Sequence, residues 1–216
     1  MPMIDPILIT GAARSGTSLV ANIIHHAGAK GGDVSVNPIP GEQPTGFYEN
    51  EELTTRVSKS ILFDLGFDPR GVKKIPDHNV PTFDVSVQVF NIARKQGITV
   101  GDVWYLKIIK GLLLYRTYLR SFPNSQWVLV RREPDGIIQS CMLASFMVGR
   151  ETANEWADYV RHYTRMMIRL KRECPQVREV WYEKLLAGEH DEIESVLGWL
   201  GLDYDKEYID KTVIKK

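Results

Sequence analysis

Residues 7–19 read Ile7-Leu8-Ile9-Thr10-Gly11-Ala12-Ala13-Arg14-Ser15-Gly16-Thr17-Ser18-Leu19. The apolar run is short and stops abruptly at Gly11; beyond the polar stretch, Leu19, Ile23 and Ile24 recur at helical spacing until Gly28. The stretch is a strand, a glycine-bounded loop and a helix. Small residues in such a loop let backbone N–H groups approach an anion, and the helix aims its positive end at the same point. Gly11 and Gly16 are five apart, as in the nucleotide-binding pattern G-x-x-x-x-G-K-[ST], but Thr17 stands at the lysine position and Ser18 at the hydroxyl position. Arg14 is the loop's cation. Taken alone, the loop also fits a tight strand–helix turn with no ligand.

The pattern repeats along the chain. Val103–Ile108 and Trp127–Val130 read as buried strands, and Val180–Tyr182 as a shorter one. Helices are expected over 49–63, from a cap at Thr82 or Asp84 to Gly97, over 112–122, over 134–147 with Pro134 in the first turn, and over 191–200. Thr152 and Glu155 form a capping box for a helix that carries Trp156, Tyr159, Tyr163, Met166 and Leu170 inward and Arg161, Arg165 and Arg169 outward. Pro175 stops it. Strands alternating with helices, without tight hairpins, imply an α/β fold: a mostly parallel sheet flanked by helices, in one domain over 1–216. Two irregular stretches, 29–48 and 64–81, are long enough to be functional loops.

Composition narrows the function. Apolar residues make up 44%, and 27 basic residues balance 27 acidic ones, which argues against a general nucleic-acid binder. A local anion site remains open, because Lys107, Lys110, Arg116, Arg120, Arg131 and Arg132 follow one another with no acid between. For the middle four, a solvated helix face accounts for the charges equally well. Cys141 and Cys174 lack metal-ligand spacing and fit a reducing compartment. No apolar run approaches the roughly 20 residues of a membrane span, and the N-terminus lacks a signal-peptide pattern, so the expected location is cytoplasmic. A kinase is disfavoured by the missing loop lysine and by the absence of a strand ending in an aspartate for magnesium, since Trp127–Val130 runs into Arg131-Arg132-Glu133.

Gly11–Ser18, GAARSGTS, resembles the phosphosulfate loop of the PAPS-dependent sulfotransferases, written G-x-P-[RK]-[ST]-G-T-[TS], with Ala13 where proline is common. Arg132-Glu133-Pro134, with Ser140 eight residues beyond Arg132, resembles the family's R-[DNE]-P…S motif for the donor's 3′-phosphate. Val180-Trp181-Tyr182-Glu183-Lys184-Leu185, Gly46-Phe47-Tyr48-Glu49-Asn50 and Leu106-Lys107-Ile108 resemble further family segments. Ile109 stands where the animal cytosolic enzymes carry histidine, and their C-terminal Arg-Lys-Gly is missing, so the likeness is to a bacterial-type, carboxylate-using branch.

The resemblance implies PAPS as donor, PAP as product and no required metal. It implies donor contacts at Arg14, Ser15, Gly16, Thr17, Ser18, Arg132, Ser140 and Tyr182, with Lys107 in the catalytic machinery. The acceptor's proton needs a base: Glu49 is the first candidate and Glu42 the second, although an ordinary exposed glutamate accounts for either as well, and the imidazole of His78 is a remote third; His25 and His26 are given no role. The acceptor hydroxyl or amine belongs to a small molecule, glycan or peptide. The rivals are a small-molecule kinase with a degenerate loop and a non-catalytic nucleotide-binding protein.

Overall fold

The computed structural model describes residues 3–44, 46–76 and 80–213. Strand β1 (Ile7–Gly11) leads into helix α1 (Thr17–His26), and two short strands follow, β2 (Val34–Ser35) and β3 (Glu49–Asn50). A composite helix comes next: α2 (Glu51–Leu53), a π turn (Thr54–Lys59) and α3 (Ser60–Asp64). Beyond α4 (Ser86–Lys95) and β4 (Tyr105–Lys107), a 3-10 turn (Lys110–Leu114) runs into α5 (Tyr115–Ser121). Then follow β5 (Trp127–Arg131), α6 (Pro134–Leu143), α7 (Ala153–Glu173), β6 (Val177–Trp181), α8 (Tyr182–Ala187), α9 (Asp191–Leu200) and α10 (Lys206–Thr212).

The central sheet has the order β4-β1-β5-β6 and is parallel throughout, with Ile9 opposite Lys107, Thr10 opposite Leu129 and Val130 opposite Val180. Strand alternation sends side chains to two cores. Leu8, Trp127 and Leu129 join Trp156, Tyr159 and Tyr163 of α7 on one face; Ile7, Ile9, Val128 and Val130 join α1 and α9 on the other. Full burial of each such side chain contributes about 1.5–3 kcal/mol. The expected α/β architecture, a parallel sheet with helices on both faces, is what the chain forms.

Several boundaries differ from the expectation. Glu49 does not open a helix: it lies in β3, which pairs antiparallel with β2, and Asn50 caps the helix by accepting the Leu53 N–H. Helix α4 is capped at Val85, beyond both Thr82 and Asp84, although Asp84 accepts the Ser86 N–H. Tyr182 starts α8 and is not a strand residue, and α6 ends at Leu143, short of Met147. The capping box at Thr152 and Glu155 forms as expected. Among the described residues, no helix is long and apolar enough to cross a membrane.

Candidate active site

The strand order reverses direction at β1 and β5: the chain leaves β1 toward β4 on one side and leaves β5 toward β6 on the other. In open parallel sheets, ligands bind in the crevice that opens at such a switch point, beyond the strands' C-terminal ends. The loops in that crevice are Ala12–Gly16 and Arg132–Glu133.

The first loop is held in a backbone shape that sequence alone makes possible. Arg14 has φ 69° and Gly16 φ 96°, both left-handed. A side chain at 16 would put its Cβ 2.4 Å from the Tyr182 ring, so glycine is required both for the torsion and for the close approach. The Ala13 N–H donates to the buried Tyr159 hydroxyl (2.9 Å), and the Ser15 N–H to the Ala12 carbonyl (3.2 Å). Helix α1 has no side-chain cap and no acid in its first turn. Its first N–H groups and positive end are therefore left for an anion.

The second motif sits against the first. Arg132 stacks its guanidinium 4.6 Å from the Tyr182 ring centroid and donates from Nη1 to the Arg14 carbonyl (2.9 Å). Gly136 makes room for it, since a Cβ there would lie 2.9 Å from Arg132 Nε. Arg14 Nε donates to Ser140 Oγ (2.9 Å), so Ser140 is joined to Arg14, whereas the motif groups it with Arg132. Arg14 also donates to Gln43 Oε1 (3.0 Å) and to the Glu42 carbonyl (2.8 Å), and burial lowers its pKa from the ordinary arginine value. Two buried atoms in this corner, Ser15 Oγ and Arg132 Nε, have no hydrogen-bond partner among the described residues; Glu183 stands 3.9 Å from that Nε, too far to satisfy it.

Lys107 and Glu49 form the third part. Lys107 Nζ donates to Ser18 Oγ (2.8 Å) and to the Phe47 carbonyl, and lies 3.8 Å from Glu49 Oε2. Burial pushes the Lys107 pKa down to about 8, with Glu49 opposing the shift. Glu49 Oε1 accepts from Thr54 Oγ1 (3.0 Å) and Lys110 Nζ (3.4 Å). Burial acts to raise the Glu49 pKa, but Lys110, Lys107 and the Thr54 hydroxyl outweigh it and hold the carboxyl below its ordinary value. Glu49 is thus a carboxylate at neutral pH, kept so by two ammonium groups and not by a helix end. Glu42 Oε2 accepts the N–H (2.9 Å) and hydroxyl (3.1 Å) of Ser145, with no cation in the set. His78 lies outside the described residues.

All three parts line one cleft of about 840 Å³, which contains Arg14, Glu49, Lys107, Arg132, Ser140 and Tyr182 together. Ser15 is buried behind it, while Gly16, Thr17 and Ser18 reach its wall. Lys110, which the sequence leaves between a solvated face and an anion site, lies at the cleft beside Glu49. Its position three residues after Lys107 is the available signal, because β4 ends at Lys107 and the 3-10 turn starts at Lys110, which leaves both amines beside Glu49. Gly136 and Gln43 carried no readable signal.

The family comparison agrees with this geometry. The model described as "Sulfotransferase family" matches residues 6–206. The chain belongs to the sulfotransferase family, and sulfuryl transfer from PAPS to an acceptor is the activity that membership brings. No curated protein matches. Among solved structures, the sulfotransferase domain of the Synechococcus olefin synthase has 17% identity over 100% of this chain and 80% of its own, with a TM-score of 0.57. A Mycobacterium avium sulfotransferase has 13% identity over 98% and 67%, with a TM-score of 0.54. A mouse sulfotransferase solved with PAP has 12% identity over 97% and 63%, with a TM-score of 0.52. At these identities the likeness is one of fold.

Proposed function

We propose that this cleft holds PAPS across its two phosphate motifs and passes the sulfuryl group to a hydroxyl, or an amine, activated by Glu49. The observation that carries the reading is the convergence of the loop, the Arg132–Tyr182 pair and the Glu49–Lys107 pair on one space. The residues fit the donor: Arg132, on the cleft wall, has a buried Nε with no hydrogen-bond partner among the described residues, the α1 N-terminus carries no side-chain cap, and the missing Cβ at Gly16 lets the Tyr182 ring close against the loop. When bound, PAPS supplies a sulfuryl group on a phosphate leaving group.

The chain's own groups have separate tasks in this reading. Arg14, the loop N–H groups and the α1 N-terminus stabilise charge at the leaving phosphate. Arg132 offers a fork of donors to the 3′-phosphate, with Tyr182 as a platform under the guanidinium and Ser140 reaching the same cleft from its bond to Arg14. Lys107 links the loop, through Ser18, to the carboxylate that receives the acceptor's proton. Glu49 Oε2 is the oxygen for that proton, because Oε1 already accepts from Thr54 and Lys110. Glu42 ranks second as the base because its carboxylate is tied to Ser145 on the α6–α7 loop, whereas Glu49 is held beside Lys107, which bonds the donor loop at Ser18. A reducing, cytosolic setting fits the two buried free thiols.

Every donor contact in this scheme is a cation, a hydroxyl or an N–H. PAP should accordingly bind with unchanged affinity in excess chelator, as read by calorimetry. Affinity that disappears with magnesium would overturn the scheme.

A further inference from the structure

The donor scheme uses one end of the cleft. Around the whole cleft stand six cations, Arg14, Lys59, Arg70, Lys107, Lys110 and Arg132, against two carboxylates, Glu42 and Glu49. The donor engages Arg14, Arg132 and Lys107, and Lys110 serves Glu49. Lys59 and Arg70 have no part in the transfer, yet both face the same space.

The wall between them and the donor end is apolar. Phe47 and Phe146 meet edge to face with centroids 5.5 Å apart. Arg14 lies 5.2 Å from the Phe146 ring and Lys107 5.8 Å from the Phe47 ring, so this pair borders the donor end directly. From Phe146 the wall continues through Met147 and Val148 to Gly149, where a Cβ would come 3.6 Å from Arg70 Nη2. Val148 is 50% exposed and Leu143, at the end of α6, 83%, and both line the same cleft as Phe47, Phe146 and Met147, so they form one contiguous apolar wall at its mouth.

Arg70 is the cation best placed to receive a ligand. Its side chain is half exposed, and its separation from Asp68, 3.8 Å, is longer than a hydrogen bond. Asp68 is already accepting the backbone N–H groups of Arg70, Val72 and Lys73. Lys59, in contrast, is paired with Glu51.

We infer that the acceptor is an amphiphilic anion. Its hydroxyl meets Glu49, its alkyl or aryl body lies on Phe47, Phe146, Met147 and Val148, and its carboxylate or phosphate meets Arg70, with Lys59 adding to the local field. This assignment rests on the sulfuryl-transfer reading of the same cleft. A sugar would press several hydroxyls against that wall and strip them of water without partners. A neutral apolar alcohol would use the wall and leave Arg70 idle.

The test is an acceptor panel measured with labelled PAPS and, separately, by calorimetry. It comprises ω-hydroxyalkanoates of graded length, the matching ω-hydroxyalkyl phosphates, the neutral amides of the acids, and simple glucosides. The anions should be preferred over their amides, and the ratio of acids to phosphates identifies the anion. Arg70→Gln should raise KM for the anionic probes about tenfold, the low end for a charged hydrogen bond, while leaving the amides and PAP affinity unchanged, and Arg70→Lys should restore part of the loss. Val148→Asp should weaken every alkyl probe. Preference for glucosides, an equal effect of Arg70→Gln on acids and amides, or no binding of any anionic probe to a protein that binds PAP would overturn the inference. Failure of PAP itself to bind would instead overturn the donor reading; direct titration of the hydroxyalkanoates into wild type and Arg70→Gln then decides the acceptor assignment by itself.

Discussion

Binding of PAP at pH 8.5 should draw a proton onto Lys107. The Lys107 side chain is 1% exposed, and burial, with Lys110 and Arg14 reinforcing it against Glu49, brings its pKa to about 8. With that value the amine is about three-quarters deprotonated at pH 8.5 and about one-tenth deprotonated at pH 7. A unit negative charge about 4 Å away, at an effective dielectric constant of about 20, interacts by about 4 kcal/mol, which is about three pKa units. An anionic donor near Ser18 would therefore hold the amine protonated throughout this range. The expected uptake on binding is about 0.7 proton at pH 8.5 and about 0.1 at pH 7. Calorimetry in buffers of different ionisation enthalpy reads that number directly. The measurement belongs at pH 8.5, because phosphate monoesters of the ligand titrate near pH 6.

The control is Lys107→Met, which keeps the stem and removes the titrating group. Uptake should vanish in it. Zero uptake by wild type at pH 8.5, or undiminished uptake by the variant, would refute the placement of Lys107 against the donor's charge. The same shift has a stability consequence with a definite sign. The unfolded lysine titrates near pH 10.4, so between about 8 and about 10 the unfolded chain holds more protons than the folded one. The cost of burying the charged amine is fully present below about pH 8 and is relieved as pH rises above it.

Three further outcomes separate the proposed roles. Arg132→Ala should weaken PAP by about 1.5–3 kcal/mol and adenosine 5′-phosphosulfate, which lacks the 3′-phosphate, much less; equal losses would mean Arg132 does not read that phosphate. Gly16→Ala combines a left-handed torsion with a Cβ 2.4 Å from Tyr182, so it should cost about 1–3 kcal/mol in stability and displace the ring beneath Arg132; wild-type melting temperature and PAP affinity would contradict this. Glu49→Gln should keep donor affinity and lower kcat by about 10²–10⁴, while Glu42→Gln stays mild; normal turnover in the Glu49 variant would remove it as the base.

The parts of the site that could be read in advance are those written contiguously. Residues 11–18 and the Arg132…Ser140 pair form recognisable motifs because each occupies one loop and the helix after it. The strands at 7–9 and 127–130 were legible for the same local reason: buried parallel strands are continuous apolar runs. Glu49 misled because Glu49, Glu51 and Glu52 look like an acidic first turn, whereas the side chain that caps the helix is Asn50 between them. The two-residue strands β2 and β3 are too short to carry any period. Lys110, Arg70 and Phe146 come from an irregular turn and two loops, and only tertiary packing brings them to one cleft.

The way each cation is satisfied tells more about its use than its position in the chain does. Arg116 is bound to Glu173, and Arg131 and Lys171 share Glu179, so each of these cations has a carboxylate partner within 3.0 Å. Arg14 is hydrogen-bonded just as fully, but to a serine hydroxyl, a glutamine amide oxygen and a backbone carbonyl. Arg132 leans on the Arg14 carbonyl and Lys107 on a serine hydroxyl and the Phe47 carbonyl; the carboxylates nearest them, Glu183 at 3.9 Å and Glu49 at 3.8 Å, stand beyond hydrogen-bond distance. Neutral acceptors fix the geometry of a cation without neutralising it, so the positive charge of Arg14 stays available to an incoming polyanion, and that of Arg132 and Lys107 is offset only by a carboxylate that does not hydrogen-bond it. They also compete weakly with phosphate oxygens, because charge-assisted hydrogen bonds are roughly twice as strong as neutral ones. The cleft is therefore preorganised and still electrostatically unsatisfied, which is the condition under which fixed charges lower a barrier without reorganising at the moment of transfer.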